Sequence, residues 1–150
     1  MIELRDAGVE DLDWLCRMEE ENFSLPWTRE QLSHQIGEEG RALLIAESDG
    51  VRAGYIGMDS VLDEGCITNV CTAPEYRRRG VGAALIDAAI KRARAWKLSF
   101  LTLEVRASNA PARGLYEKKG FKFVGIRPGY YEKPAEDAAI MTFYIRKEEL

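Results

Sequence analysis

The chain has 150 residues, a size typical of one domain that buries its own hydrophobic core. Hydrophobic residues make up 46% and charged residues 31%, which is ordinary for a globular protein. The net charge of −4 argues against a general nucleic-acid binder, which would carry a basic surface. We expect a reduced cytoplasmic protein without membrane contact, because no apolar segment is long enough for a signal peptide or a span and no cysteine pair forms C-x-x-C.

Two helices and four strands are predicted in the first half of the chain. Thr28 and Gln31 have the spacing of a capping box, which indicates the start of a helix. Asp49-Gly50 is typical of a two-residue hairpin turn between antiparallel strands. The predicted elements are a strand over Ile2–Arg5, helices over Gly8–Glu21 and Thr28–Ile36, and strands over Arg41–Ser48, Val51–Asp59 and Cys66–Ala73.

The second half predicts alternating helices and strands. A strand followed by a helix and another strand favours a parallel, right-handed crossover. Together with the early hairpin, this indicates a mixed α/β sheet covered by helices, in one domain over residues 1–150. The predicted elements are helices over Gly80–Trp96 and Asn109–Lys119, and strands over Ser99–Val105, Phe121–Arg127 and Asp137–Arg146.

A basic, glycine-containing loop, Arg77–Gly82, lies between a predicted strand and a predicted helix. The first amides of a helix have no intrahelical acceptor, and glycine allows a phosphate to approach the backbone, so a pyrophosphate is a natural ligand. The Walker motif is absent, and Leu85 occupies the position of the third Rossmann glycine, which excludes both of these nucleotide motifs. A solvated basic turn in front of a helix is the alternative interpretation.

An acid–base pair lies around the next strand–helix turn. Glu104 is near the end of a predicted strand, and Asn109 and Tyr116 are seven residues apart, so they share one face of the following helix. Each has a plain structural alternative: Glu104 as a solvent-facing residue, Asn109 as a helix cap and Tyr116 as a core aromatic.

The residue types of this turn suit acyl transfer to an amine. An α-amino group has a pKa of about 8, so at neutral pH much of it carries a proton that a glutamate can accept. A phenol can return a proton to a departing thiolate. The strand that includes Ile67–Ala73 would offer amides to the thioester carbonyl and its developing negative charge.

Arg77–Gly82 matches the pattern R/Q-x-x-G-x-G/A, and with it the chain resembles the GNAT superfamily of acetyl-CoA-dependent N-acetyltransferases. The order of helices and strands is similar over nearly the whole chain. The resemblance implies the GNAT fold, a mixed, mostly antiparallel central sheet flanked by helices. Several strings further resemble the RimI-type family, which acetylates the N-terminal alanine of a small-subunit ribosomal protein: Pro26–Thr28, Leu103–Asn109, Leu115–Glu117, Gly120-Phe121, Arg127–Tyr131, Glu136–Ala138 and Met141.

The resemblance also implies roles for individual residues. Glu104 would be the proton acceptor, Tyr116 the proton donor, and Asn109 a contact to the cofactor. Main-chain contacts to acetyl-CoA are implied for Val70, Cys71, Thr72, Arg78, Arg79, Gly80, Val81, Gly82 and Ala83.

The expected acceptor is a protein N-terminus, most specifically that of a ribosomal protein, without direct contact to nucleic acid. It would lie between Phe23–Trp27 and Tyr130–Asp137, two segments that could instead fold over as a hydrophobic lid. Acidic residues could attract a basic N-terminus. These residues are Glu20, Glu21, Glu136 and Asp137.

Several alternatives to this reaction stay open or are disfavoured. A small amine or a lysine side chain could be the acceptor, and an acyl-CoA sensor without turnover is the non-enzyme alternative. A covalent route through Cys71 is disfavoured, because it needs a base and His34 is predicted in a distant helix. No metal is expected, because one histidine and three scattered cysteines provide no zinc spacing.

Overall fold

A seven-stranded sheet forms the centre of the computed structural model, which describes residues 1–145. The strands occur in the order β1-β2-β3-β4-β5-β7-β6. The strands are β1 Ile2–Asp6, β2 Arg41–Ser48, β3 Val51–Val61, β4 Glu64–Thr72, β5 Phe100–Arg106, β6 Lys122–Tyr131 and β7 Glu136–Tyr144. The helices are α1 Leu12–Asn22, α2 Arg29–Ser33, α3 Val81–Ala95 and α4 Ala110–Lys118.

The pairing confirms the predicted mixed sheet. From β1 to β4, each strand pairs antiparallel with the next. The Asp49-Gly50 turn has positive φ at both residues, as a tight hairpin between twisted strands requires. β4 and β5 are parallel, connected through α3 as predicted. β7 is inserted between β5 and β6 and is antiparallel to both, an order that the sequence pattern did not specify.

The two faces of the sheet are covered by different helices. On β2 the side chains alternate: Leu43 and Ile45 belong to a buried cluster with α1 and α2, whereas Leu44 belongs to a second buried cluster with α3. Tyr116 of α4 also belongs to this second cluster. We call the two sides of the sheet the α1 face and the α3 face.

Most predicted boundaries hold within a few residues, and four differ for identifiable reasons. A short 3₁₀ turn over Val9–Asp11 precedes α1, so the α-helix begins later than expected. α2 has only five residues; Thr28 caps it through the predicted capping box, and His34 ends it. β6 continues to Tyr131 because that residue still pairs with β7. β7 ends at Tyr144, and Arg146, the predicted end of this strand, lies outside the described residues.

The inner side of α3 is also partly different from the prediction. Leu85 and Ala89 are buried as expected, but Ala84 and Ala88 are only half-buried. The helix face that packs on the sheet is rotated relative to the predicted face, so that larger side chains than Ala84 and Ala88 fill the space above the sheet. It consists of Val81, Leu85, Ile86, Ala89, Ile90 and Ala93.

The sheet opens between β4 and β5. Their parallel pairing covers only three positions, of which the last joins Cys66 to Thr102. On the other edge of β4 the register with β3 shifts between Gly57 and Met58, which leaves Thr68 as an extra residue. Such a bulge bends a strand. The second half of β4 therefore diverges from β5, and this opening positions the candidate site.

In the part of the chain that the structure describes, no helix has the length and apolar character needed to cross a membrane.

Candidate active site

The opening has backbone groups on one side and side chains on the other. Val70, Cys71 and Thr72 pair with β3 along one edge of β4 but have no partner on β5. Backbone groups of this free edge can hydrogen-bond an extended ligand that enters between the strands. The predicted contact segment therefore lies where an acyl carrier can reach it.

Glu104 lies on β5, on the α1 face of the sheet. Its strand neighbours Leu103 and Val105 are buried on the α3 face, so strand alternation directs Glu104 to the opposite side. Arg127 donates a 3.4 Å hydrogen bond to its carboxylate, and the Arg127 side chain is 53% exposed. Such a long, exposed ion pair contributes little and is easily exchanged for another cation or ammonium group.

Tyr116 lies on the other side of the opening. Its ring is buried in the cluster of the α3 face and packs 5.8 Å from the ring of Phe121. Burial raises the pKa of Tyr116 to about 12, so the phenol is protonated at neutral pH. Among residues 1–145, no protein group forms a hydrogen bond with its hydroxyl, which therefore remains available to a ligand.

Asn109 caps α4, as its structural alternative predicted. Its side-chain oxygen accepts a hydrogen bond of 3.2 Å from the amide of Ala112, and Pro111 occupies the first turn, where a missing N–H costs little. Within the described part of the chain, the amide nitrogen of Asn109 has no protein acceptor. The capping role therefore leaves both N–H groups of the Asn109 side-chain amide free to donate to a ligand.

The basic loop has the geometry of an anion site at a helix N-terminus. Arg78 and Gly80 adopt left-handed conformations, with φ of 64° and 84°, which turn the chain into α3. No acidic residue lies in the first turn of this 15-residue helix, so its positive end is not neutralised there. Arg79 packs against the ring of Tyr76 and Arg77 donates a hydrogen bond to Asn22, while all three arginines are exposed.

Gly82 brings this loop next to α4. A Cβ at Gly82 would lie 3.3 Å from Leu115 of α4 and 3.9 Å from the hydroxyl of Thr72 at the end of β4. The N-terminus of α3, the last residues of β4 and the helix that carries Tyr116 therefore meet on the α3 face. Ala83 follows in the same turn and is half-buried.

Cys71 is poorly suited to act as a nucleophile. Its side chain is buried on the α1 face, and burial raises the pKa of its thiol to about 11. The reactive form of cysteine is the thiolate, which such a thiol hardly populates at neutral pH. His34 is exposed and lies 3.3 Å from Glu38. Within residues 1–145 no group of three or more His, Cys, Asp or Glu has the arrangement to hold a metal ion.

The two segments expected to flank the acceptor meet on the α1 face. The Ser24 hydroxyl donates a hydrogen bond of 3.5 Å to the carbonyl of Glu132. Arg106 fixes the β6–β7 hairpin to β5, because its guanidinium lies 4.4 Å from the ring centre of Tyr131 and bonds the carbonyl of Pro134. Tyr130 remains 48% exposed beside this junction.

Two of the four acidic residues expected to attract a basic N-terminus are already engaged. Glu136 accepts hydrogen bonds from Arg106 and from the Ser108 amide, and Asp137 accepts one from the Gly129 amide. Their role in the structure is to hold the hairpin and the β5–α4 turn together. Glu20 and Glu21 are exposed.

Glu19 is a polar site that the sequence interpretation missed. It is only 1% exposed and accepts hydrogen bonds from the Trp27 amide, the Tyr55 hydroxyl and the Asn69 side chain. The sequence pattern drew attention only to the two glutamates that follow it, Glu20 and Glu21. The available signal was helical spacing, because Glu19 lies four residues after Leu15 and seven after Leu12, on the buried side of α1.

Comparisons with known proteins fit this geometry. The sequence model of the Acetyltransferase (GNAT) family matches residues 8–121. A Bacillus subtilis protein, itself named only provisionally as a [ribosomal protein bS18]-alanine N-acetyltransferase, is 40% identical over 145 residues, which are 96% of either chain.

Solved structures provide two further similarities. The crystal structure of the ribosomal-protein-S18-alanine N-acetyltransferase from Escherichia coli has a TM-score of 0.87 and 32% identity, covering 100% of this chain and 99% of that one. Arabidopsis thaliana NAA60 in complex with acetyl-CoA has a TM-score of 0.87 over 97% and 100% of the two chains; at 21% identity, it supports the fold alone.

Proposed function

The chain belongs to the GNAT family of acetyltransferases, and we propose that it transfers the acetyl group of acetyl-CoA to the N-terminal α-amine of a protein. The observation that carries the proposal is the opening between β4 and β5. It has a half-buried carboxylate, Glu104, on one face and a protonated phenol, Tyr116, on the other. Donor and acceptor can therefore approach from opposite sides and meet between the strands.

Acetyl-CoA would enter from the α3 face. Its pyrophosphate fits the loop formed by Arg78, Arg79 and Gly80 and the first amides of α3, at Val81, Gly82 and Ala83, where helix polarity and arginine charge act together. The thioester arm would run along the free edge of β4 at Val70, Cys71 and Thr72. The uncommitted amide nitrogen of Asn109 lies at the start of α4, where it can donate to the same arm.

The acceptor would enter from the α1 face, between Phe23–Trp27 and the β6–β7 hairpin. Glu104, directly or through one water, accepts the proton of the α-ammonium group, and the free amine attacks the thioester carbon. Backbone amides of β4 stabilise the negatively charged oxygen that forms. The C–S bond then breaks, the nitrogen loses its second proton to solvent to give the amide, and Tyr116 supplies a proton to the thiolate. Glu104 and Tyr116 return to their starting states by proton exchange with solvent.

The acceptor that we propose is the N-terminal alanine of ribosomal protein bS18. The support is the name of the Escherichia coli structure and the provisional name of the Bacillus subtilis relative. Whole-length coverage supports the same acceptor side, because the matched region includes both segments of the α1 face. A ribosomal acceptor also agrees with the cytoplasmic location expected from the sequence.

The test is a thiol-release assay with acetyl-CoA and two competing acceptors. A peptide that begins with the alanine of bS18 should release CoA well above the hydrolysis rate and gain one acetyl group at its N-terminus by mass spectrometry. An otherwise identical peptide with a blocked N-terminus but a free lysine is the matched control. Equal release with the two peptides, or release with a polyamine but not with the alanine peptide, would contradict the proposed acceptor.

A further inference from the structure

Glu19 is a buried carboxylate without a counter-ion. No lysine, arginine or histidine nitrogen lies within 4.0 Å of its oxygens in residues 1–145, and its three hydrogen-bond donors are neutral. Removal of a carboxylate from water is costly unless strong partners replace the solvent. A neutral side chain could accept a hydrogen bond from the Trp27 amide at a lower desolvation cost. A carboxylate at this position therefore needs a further explanation.

The reason lies in the number of donors. A carboxylate only accepts hydrogen bonds, and its two oxygens can take those of the Trp27 amide, the Tyr55 hydroxyl and the Asn69 amide together. A glutamine here would direct its own N–H₂ group toward at least one of these donors. Glu19 therefore imposes one orientation on three groups that belong to three different parts of the chain.

One of these groups lies at the β4 bulge. Because the Asn69 nitrogen donates to Glu19, its oxygen faces the Thr68 hydroxyl, from which it accepts a bond of 2.7 Å. Thr68 is the extra residue of the bulge, and Gly57 leaves room for the pair, since a Cβ there would lie 2.7 Å from the Thr68 hydroxyl oxygen. The residues that follow directly are those of the free edge of β4.

The other end of this arrangement is the acceptor loop. The Trp27 amide, 2.8 Å from Glu19, ends the segment that reaches across to the β6–β7 hairpin through Ser24. One carboxylate thus connects the loop on the acceptor side with the strand on the acetyl side. A single rigid connection of this kind fixes how far apart the two reactants are held.

We propose that Glu19 is a positioning residue, which sets the acceptor loop at a fixed distance from the acetyl-binding edge of β4. The proposal rests on the proposed function of the opening and adds a residue that touches neither reactant. Its loss should misplace the acceptor amine while leaving the acetyl-CoA site on the α3 face intact.

The primary test compares Glu19→Gln with Glu39→Gln, the same change at an exposed position outside the network. Glu19→Gln should raise the KM for the alanine peptide about tenfold and leave the Kd for acetyl-CoA within about twofold, because the network holds the acceptor loop directly, through the Trp27 amide, and reaches the acetyl side only through the Asn69 side chain at the bulge. Glu39→Gln should match the wild type. An unchanged peptide KM, or equal weakening for both substrates, would overturn the proposal.

A second variant covers the case in which Glu19→Gln does not fold. Asn69→Ala removes the link to β4 but keeps the bonds to Trp27 and Tyr55, and Asn69 is only half-buried. It should raise the peptide KM about threefold with unchanged acetyl-CoA affinity. Wild-type kinetics in this variant would overturn the coupling between loop and strand.

Hydrogen exchange by mass spectrometry separates this inference from the proposed function, because it requires no activity. Glu19→Gln should accelerate exchange in both 23–27 and 68–72, and Glu39→Gln in neither. If the wild type failed to acetylate the peptide, the proposed function would fail, and this double acceleration would still establish the coupling. Acceleration in only one of the two segments would refute it.

Discussion

Asp11 and Glu19 are two buried carboxylates eight residues apart, at either end of the first helical segment, and their surroundings differ sharply. Asp11 accepts hydrogen bonds of 2.8 Å from both terminal nitrogens of Arg5, from Arg52 and from the Gly8 amide. The Arg5 hydrogen bond holds the pKa of Asp11 far below its ordinary value. Glu19 has three neutral donors and no cation within 4.0 Å in the described chain.

The two carboxylates therefore differ in role: Asp11 stabilises the fold, whereas Glu19 has the positioning role that we propose. At Asp11 the charge is neutralised within the fold, so the cluster joins β1, β3 and the first helical segment and offers nothing to a ligand. Glu19 and Glu104 lie on the same face, and neither carboxylate has a strong ion pair. Glu19 has only neutral hydrogen-bond donors, and Glu104 has the long ion pair with Arg127. In this molecule the residues proposed to act on the reactants or to position them are those whose partners are weak, neutral or absent.

The largest expected effect is that of Glu104→Gln. The variant should lower kcat about 100- to 1,000-fold, the usual contribution of a positioned general base, while its free energy of unfolding changes by less than about 0.5 kcal/mol. The deficit should grow below about pH 8, where the acceptor amine is increasingly protonated. Steady-state kinetics across pH and urea unfolding measure both quantities; a wild-type pH profile would assign the base elsewhere.

Tyr116→Phe should have the next largest effect, a reduction of kcat of about 10- to 100-fold with acetyl-CoA affinity within about twofold. Because burial raises the pKa of Tyr116 to about 12, the phenol remains protonated below pH 10. Wild-type kcat should therefore show no alkaline loss from this residue up to about pH 10. Equal turnover of variant and wild type would remove Tyr116 as the proton donor.

Asp11→Asn should produce the smallest effect on turnover and a clear one on stability. We expect a loss of about 2 kcal/mol in the free energy of unfolding, less than for a fully buried pair because Arg5 and Arg52 are about one-third exposed. Since the pKa of Asp11 is lowered in the folded state, its contribution is present above about pH 4, the ordinary pKa of the residue, and is lost as the pH falls further.

Urea unfolding at pH 7 and pH 3 checks this sign. The difference between wild type and Asp11→Asn should be smaller at pH 3, and kcat for the peptide at pH 7 should be unchanged. A variant of Asp11 that lost activity without losing stability would erase the contrast between the two carboxylates.

The sequence predicted structural features well where they depend on interactions between residues close in the chain. The Thr28 capping box, the Asp49-Gly50 turn and the Asn109 cap depend on neighbouring residues only, and the structure confirms all three. The resemblance to the GNAT family is confirmed as well. The roles of Glu104 and Tyr116 stay predictions, although the structure brings each to one side of the same opening.

The opening itself could not be predicted from local patterns. It depends on a bulge at Thr68, on the space left by Gly57 and on the early end of pairing between β4 and β5, all of which join residues distant in sequence. The insertion of β7 between β5 and β6 has the same origin. Glu19 was hidden for a different reason, because two exposed glutamates follow it and mask its position on the buried face of α1.

A crystal structure with a bisubstrate analogue, CoA joined through an acetyl bridge to the alanine peptide, tests the central claim most directly. We expect the sulfur within about 3.5 Å of the Tyr116 hydroxyl on the α3 face, and the peptide nitrogen within about 3 Å of Glu104, or one water away, on the α1 face. A bridge that passes outside the β4–β5 opening, or both substrates on one face of the sheet, would contradict the account.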